Sequence, residues 1–163
     1  MGSVHVKVTG DNRRLIKRLQ MMAELDVKGI NKSIAEGIRT STMERFRLEK
    51  DPEGKKWKPS IRAREEGGKT LTETAKLKTS IRSTASAGGW AVGTNDIRAA
   101  THQFGDERTI RARKGPVHRF KVNGVWTSTK QVHVRIPARP FLGISEDDDK
   151  MIRAELEGAL EES

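Results

Sequence analysis

The chain has no cysteine and no tyrosine among its 163 residues, and aromatic residues make up only 4% of it. The absence of cysteine excludes disulfide bridges, a thiol nucleophile and any cysteine-ligated metal. No apolar run approaches the roughly 20 residues that a membrane-spanning helix needs, and no apolar core of a secretory signal is present. We therefore expect a protein that is made in the cytoplasm and has no contact with a membrane.

Apolar residues are also scarce, at 34% of the chain, whereas 33% of the residues are charged. Typical globular domains hold roughly 45–50% apolar residues when glycine is counted. The apolar residues that are present follow regular patterns, so we expect a folded chain with a thin core. The length fits a single domain over residues 1–163. A thin core is typical of a subunit that gains stability from its partners.

Hydrophobic periodicity predicts an α+β fold: a small, mainly antiparallel sheet with flanking helices, a long β-hairpin and a C-terminal helix. The predicted helices span about 15–22, 27–49, 71–81 (at least in its first part), 97–103 and 147–162. Alternating strands are predicted at 4–8, 83–86, 90–93, 117–121, 125–127 and 131–136. Gly88-Gly89 and Asn123-Gly124 supply the hairpin turns. The polar, basic segment 60–70 is predicted to be mobile.

The stretch 136–145 joins the last strand to the last helix. Pro137 and Pro140 allow neither a strand ladder nor a helix through it, so it is a stiff, extended bridge. Because Phe141 and its neighbours are apolar, we expect the bridge to lie on a core; the alternative is an apolar arm that docks on a neighbouring subunit. Ser145 is predicted to cap the final helix, and four acidic residues follow it at the positive helix end.

Trp57 lies in a loop between two prolines. A tryptophan in a loop usually folds back over a core edge, but tryptophan is also enriched at interface hot spots. Together with the proline bridge, this loop is the candidate contact with other subunits. The residues predicted at that interface are Trp57, Pro137, Arg139, Pro140, Phe141 and Leu142.

Charge is unevenly distributed along the chain, whose net charge is +10. Residues 106–135, a predicted basic β-hairpin excursion, carry eight cations and two carboxylates, whereas 146–163 form an acidic helix. Opposed elements of this kind favour contact between copies, which closes into a ring, although both could be solvated faces. The hairpin cations predicted to contact an acidic protein or DNA are Arg108, Arg111, Arg113, Lys114, Arg119, Lys121 and Lys130.

Nothing in the sequence indicates catalysis. Gly67-Gly68-Lys69-Thr70 looks like the end of a P-loop, but Ala63 stands where the first glycine is needed and no buried strand precedes it. The four histidines lack metal-binding spacing, and no serine lies in a nucleophile elbow. We therefore predict no enzyme activity, no cofactor and no metal.

Several ordered stretches resemble the phage virion morphogenesis, or tail-completion, proteins of contractile-tailed phages such as Mu. These stretches are Phe46 with 51–59, then 71–81, 92–95, 99–105 and 136–143. The resemblance implies a virion structural protein that completes the head-proximal end of the tail and makes it competent to join the head. It also implies a ring of subunits, which tail symmetry would make a hexamer.

The resemblance further implies a location in the tail or neck of the virion, and in the host cytoplasm during assembly. The expected partners are copies of the chain, the tail terminator, the tail tube or sheath and the head–neck connector proteins. The bridge and the Trp57 loop would contact subunits or neck proteins, and the basic hairpin would face acidic neck proteins or DNA in the channel. The alternative function is non-specific nucleic-acid binding that exploits the +10 charge.

Overall fold

In the computed structural model of the chain, the structure describes residues 22, 25–112, 115, 117–122 and 124–161. The helices are α1 (Val27–Leu48), α2 (Ile61–Glu65), α3 (Lys76–Thr79), α4 (Ala99–Phe104) and α5 (Glu146–Glu161). The strands are β1 (Arg82–Ser86), β2 (Gly89–Gly93), β3 (Asp106–Arg111), β4 (His118–Val122), β5 (Val125–Thr129) and β6 (Gln131–Ile136). The predicted strand 4–8 and, apart from Met22, the predicted helix 15–22 lie outside the described residues.

Helix α1 is the long element on which the body is assembled. It begins at Val27 because the Asp26 side chain accepts a hydrogen bond from Gly29 N at 2.9 Å and so caps the first turn. Its buried face follows helical spacing and packs on the β1–β2 hairpin and on α5. A Cβ at Gly37 would stand 2.7 Å from Met151 Cε of α5, so glycine lets the two helices approach closely.

The core is a small cluster formed by Phe46, Trp57, Leu77, Ile81 and Phe141. Phe46 lies at its centre, with its ring centroid 5.4 Å from Trp57 in an edge-to-face arrangement and 5.2 Å from Phe141. Three of the seven aromatic residues of the chain thus meet where α1, the Trp57 loop and the proline bridge come together.

The strands form three two-stranded antiparallel sheets. Strands β3 and β6 pair from Asp106↔Ile136 to Arg111↔Gln131, and the β4–β5 hairpin is inserted between them. Together these four strands make one long, two-part ribbon, which we call the arm (residues 106–136). The predicted α+β class, with its long hairpin and C-terminal helix, is confirmed.

Two local predictions were wrong. Residues 71–75 do not form a helix: Leu71 and Ala75 adopt left-handed backbone angles (φ 63° and 52°), so α3 is a single turn. Helix α4 starts at Ala99 rather than residue 97, because Asp96 Oδ1 accepts a hydrogen bond from Arg98 N and holds a turn there.

The segment 60–70, predicted to be mobile, contains the short helix α2 and several side chain to backbone hydrogen bonds. Ser60 Oγ accepts a hydrogen bond from Ala63 N at 3.1 Å and caps helix α2. At the other end of the segment, Thr70 is only 1% exposed, and its backbone N donates to Glu49 Oε1 at 2.6 Å. A polar sequence therefore folds back onto α1 through side chain to backbone hydrogen bonds, which hydrophobic periodicity does not reveal.

Candidate interaction surfaces

The proline bridge (residues 137–145) packs on the core through Phe141. Its backbone forms hydrogen bonds with the Gln103 side chain of α4, as a strand would with a neighbouring strand. Gln103 Oε1 accepts hydrogen bonds from Phe141 N and Leu142 N, each at 3.1 Å, and Gln103 Nε2 donates to Leu142 O at 3.0 Å. One amide side chain thereby satisfies three backbone groups that the prolines keep out of any ladder. The expected core position of the bridge is confirmed.

Three further hydrogen bonds hold the bridge. Trp57 Nε1 donates to Pro140 O at 2.9 Å, and Arg139 Nε donates to Lys58 O at 2.7 Å. Arg139 N donates to His102 O at 2.7 Å, which joins the bridge to α4. Burial and the positive charges of Arg139 and Arg98 lower the pKa of His102. The bridge is therefore fastened to the 57–58 loop and to α4.

Arg45 of α1 ties the end of the bridge to the start of α5. It is 3% exposed, donates to Phe141 O at 3.0 Å and to Gly143 O at 2.8 Å, and forms an ion pair with Asp148. Burial lowers the pKa of Arg45. Because the bridge carbonyls have no strand partner, a charged donor inside the core satisfies them.

The carboxylate of Asp148 also caps α5. Ser145 Oγ accepts a hydrogen bond from Asp148 N at 3.2 Å, while Asp148 Oδ2 accepts from Ser145 N at 2.8 Å and from Ser145 Oγ at 2.7 Å. This reciprocal pattern is a capping box with aspartate in the acidic position. Burial alone would raise the pKa of Asp148, but hydrogen bonds from Ser145 and Ser41 and the charge of Arg45 lower it overall.

The predicted interface residues separate into two groups. Trp57, Arg139 and Phe141 are 5%, 5% and 0% exposed, so they are buried inside their own chain and offer almost no surface to a partner. Pro137, Pro140 and Leu142 are half-buried. Subunit contact through this segment stays a prediction for the half-buried residues, while the buried ones hold the bridge in place.

The inner part of the arm, formed by β3 and β6, has one polar and one largely apolar face. Residues that pair across the strands point to the same side. Glu107 and His133 lie on the polar face, where the His133 Nε2 to Glu107 Oε1 distance is 3.1 Å. The other face carries Arg108, paired in register with Val134, and Ile110, paired with Val132. Ile110 is 38% exposed.

The outer part, formed by β4 and β5, carries an exposed tryptophan. Trp126 is 70% exposed, and Lys121 Nζ lies 5.6 Å from the centroid of its ring, within cation–π distance. Lys121 and Trp126 are register partners and so share one face, together with Arg119 and Ser128. This face combines aromatic surface with positive charge at the end of the arm.

Most of the predicted hairpin cations lie on the exposed surface of the arm. Arg108 is paired with Asp106 at 3.2 Å. Among the described residues, no carboxylate lies within ion-pair distance of the following cations: Arg111, Arg119, Lys121 and Lys130. Arg113 and Lys114 lie outside the described residues. The arm therefore displays positive charge that the described part of the chain does not neutralise.

The acidic helix α5 uses its carboxylates in different ways. Asp148 is 4% exposed and belongs to the core, whereas Glu146 and Asp149 pair with cations of their own helix, Lys150 at 2.9 Å and Arg153 at 2.7 Å. Glu157 and Glu161 are exposed, and no cation of the described residues forms an ion pair with them. The second half of α5 therefore displays uncompensated negative charge.

The described residues contain no group of three or more side chains suited to holding a metal ion. No helix among them combines the length and the apolar character that crossing a bilayer would require. The surfaces with the most distinctive chemistry are thus the positive arm and the negative helix.

The structure is an α+β fold whose described residues present two oppositely charged surfaces, the arm and the second half of α5. The chain belongs to the phage virion morphogenesis family, whose sequence model matches residues 10–161. The family expected from the sequence is therefore confirmed, and with it a role in assembly of the phage virion. No curated protein and no solved structure matches the chain.

Sequence reasoning missed three residues that the structure makes prominent. Gln103 and Arg45 hold the bridge, but their partners are backbone atoms, which leave no trace in a sequence pattern. Trp126 is the exposed tryptophan, whereas Trp57, chosen from its loop position, is buried. The signal for Trp126 was its place on a short strand rich in polar residues, where no apolar alternation requires burial.

Proposed function

We propose that the chain is a structural subunit that completes the head-proximal end of a phage tail and supports joining of the tail to the head. In this proposal several copies form a ring in the neck, and six would match the symmetry of the tail. The proposal starts from membership of the phage virion morphogenesis family over residues 10–161. In this proposal the subunit acts by binding its neighbours.

The observation that carries the proposal is the arm. Its strands make their extensive contacts with each other rather than with the described helices of the body. It carries cations that have no ion-pair partner among the described residues, and a tryptophan that is 70% exposed. An isolated two-stranded ribbon is marginally stable in water, so a surface of this kind favours a role in which neighbouring proteins cover it.

The proposal is tested in a phage whose gene for this chain carries an early stop codon. We expect separate filled heads and tails by electron microscopy, with joined particles restored when the wild-type chain is supplied in trans. A second complementing chain replaces residues 112–130 by Asn-Gly, which connects Arg111 to its register partner Gln131 through a two-residue turn. We expect this shortened chain to fold but not to restore joining.

Normal joining without the chain would overturn the proposal. Normal joining with the shortened chain would contradict a contact of the outer arm with neck proteins or DNA, but it would not contradict the tail-completion role. An image of the neck of the intact particle would give the number of subunits.

A second candidate function is non-specific binding of nucleic acid. It is favoured by Lys121 stacked near the exposed Trp126, since a positive ribbon with an aromatic surface can contact both phosphates and bases. Such a protein should bind duplex DNA as a monomer, and its affinity should fall steeply with salt, with a logarithmic slope of about −0.9 for each phosphate neutralised. Binding without this slope, or no binding at low salt, would exclude it.

A further inference from the structure

No described helix makes extensive contact with the inner arm, which carries a largely apolar face. Ile110 and Val132 are register partners on this face, next to the Arg108–Val134 pair. The extensive contacts of β3 and β6 are with each other. Apolar surface that lies beside the cations Arg108 and Lys130 fits a partner that is itself apolar and acidic.

Helix α5 of the same protein has this complementary character. Leu156 is 45% exposed and lies beside Glu157, while Glu161 is one helical turn further on. The described cations of the helix, Lys150 and Arg153, are paired with its first turn, so the second half remains negative. A second copy of the chain can therefore supply both the apolar contact and the opposite charge.

The two surfaces make no extensive contact within one chain. A contact between different patches of identical subunits is heterologous, and it generates a closed ring when the rotation between neighbours closes. We propose that the arm of one copy packs its Ile110–Val132 face, with the cations Arg108 and Lys130 on the same side, against the second half of α5 of the next copy. This inference rests on the ring of the proposed function and names the surfaces that build it.

The test exchanges charges between the two surfaces. The arm variant carries Arg108→Glu and Lys130→Glu, and the helix variant carries Glu157→Lys and Glu161→Lys. Because either change places like charges opposite each other, each variant alone should self-associate at least about tenfold more weakly than the wild type at low ionic strength. Sedimentation velocity on nuclease-treated protein measures the association, and far-UV circular dichroism checks the fold.

Mixing the two variants gives the decisive result. In the mixture, the acidic arm of the arm variant faces the basic helix of the helix variant. The basic arm of the helix variant likewise faces the acidic helix of the arm variant. An equimolar mixture should therefore assemble more tightly than either variant does alone. A chain carrying all four substitutions should assemble as well. The control variant, Arg64→Glu with Lys76→Glu, changes the net charge as much as the arm variant does. Both residues are exposed on the short helices α2 and α3 of the body, and the variant should assemble like the wild type.

The proposal is overturned if the wild type is monomeric at low ionic strength, if either single-surface variant assembles normally, or if the folded mixture stays monomeric. It is also overturned if the control variant is as defective as the arm variant, because net charge alone would then explain the loss. The proposed function is tested separately, by head–tail joining in phage that lack the chain. If joining requires the chain but the variants show none of the expected assembly defects, the tail-completion role stands and this contact is discarded.

Discussion

Replacement of Arg45 by alanine should destabilise the chain more than any exposed substitution. Arg45 is 3% exposed, pairs with Asp148 and donates to Phe141 O and Gly143 O. Removing one partner of a buried ion pair typically costs about 3–5 kcal/mol, because the other charge is left buried. Since small proteins are stable by only about 5–15 kcal/mol, the variant loses a large share of its stability.

The measurement is urea unfolding followed by far-UV circular dichroism. The matched control is Arg47→Ala, because Arg47 lies on the same helix and pairs with Glu44, but its side chain is 60% exposed. Exposed ion pairs of this kind contribute little, so the control should unfold like the wild type. In thermal unfolding, Arg45→Ala should lower Tm by roughly 6–20 °C for a chain of this size.

A double-mutant cycle with Asp148→Asn measures the interaction energy between the Arg45 and Asp148 side chains. Because the two groups act on one another, the loss in the double variant should be smaller than the sum of the two single losses. If Arg45→Ala lowers the free energy of unfolding by less than about 1 kcal/mol, or if the two losses simply add, the buried ion pair does not anchor the bridge.

The other predictions concern burial, backbone and pH. Trp57→Ala should cost about 3–5 kcal/mol because Trp57 is 5% exposed, whereas Trp126→Ala should leave the urea midpoint unchanged but weaken assembly. Gly105→Ala should lower the free energy of unfolding by about 1–3 kcal/mol, because φ is +79° there and a Cβ would lie 2.9 Å from Ala138 N. The control is Gly93→Ala, since no atom lies within 4 Å of the Cβ that it would add. The folded state lowers the pKa of His102, so its contribution to stability is full above the pKa of the unfolded chain, about 6.5. That contribution is lost as pH falls below 6.5, because the unfolded chain then binds the proton more readily than the folded chain. His102→Gln should therefore flatten the dependence of the urea midpoint on pH between 7.5 and 5.5, and an unchanged slope would contradict this.

The parts of the fold that the sequence predicts well are those with long, regular patterns. Helix α1 was expected over about 27–49 and spans Val27–Leu48, because apolar residues at helical spacing bury one continuous face. The two hairpin turns were placed correctly since glycine fits their backbone angles, as at Gly124 with φ +81°. Where local and tertiary preferences agree, periodicity is sufficient.

The failures occur where tertiary contacts decide the local structure. Residues 71–75 have helical spacing, but Thr70 is buried against Glu49, and Leu71 takes a left-handed angle to follow that contact. The sequence also treats the acidic residues at the start of α5 as equivalent, yet Asp148 alone is buried, because only its position faces Arg45. Position on a folded surface, rather than residue type, separates these roles.

The buried ion pair and the exposed arm are linked through the root of the arm. Gly105 lies where α4 ends and β3 begins, and there it passes against Ile136 and Ala138, the residues at which β6 enters the proline bridge. The bridge that Arg45 and Gln103 hold thus also fixes where both arm strands leave the body. A weakened Arg45 contact should therefore impair assembly even though every arm charge is intact, whereas reversed arm charges should impair assembly at unchanged stability. Measuring both quantities for both variants separates a misplaced arm from a repelled one: an Arg45→Ala chain that remains folded and assembles normally would show that the arm is positioned without the bridge.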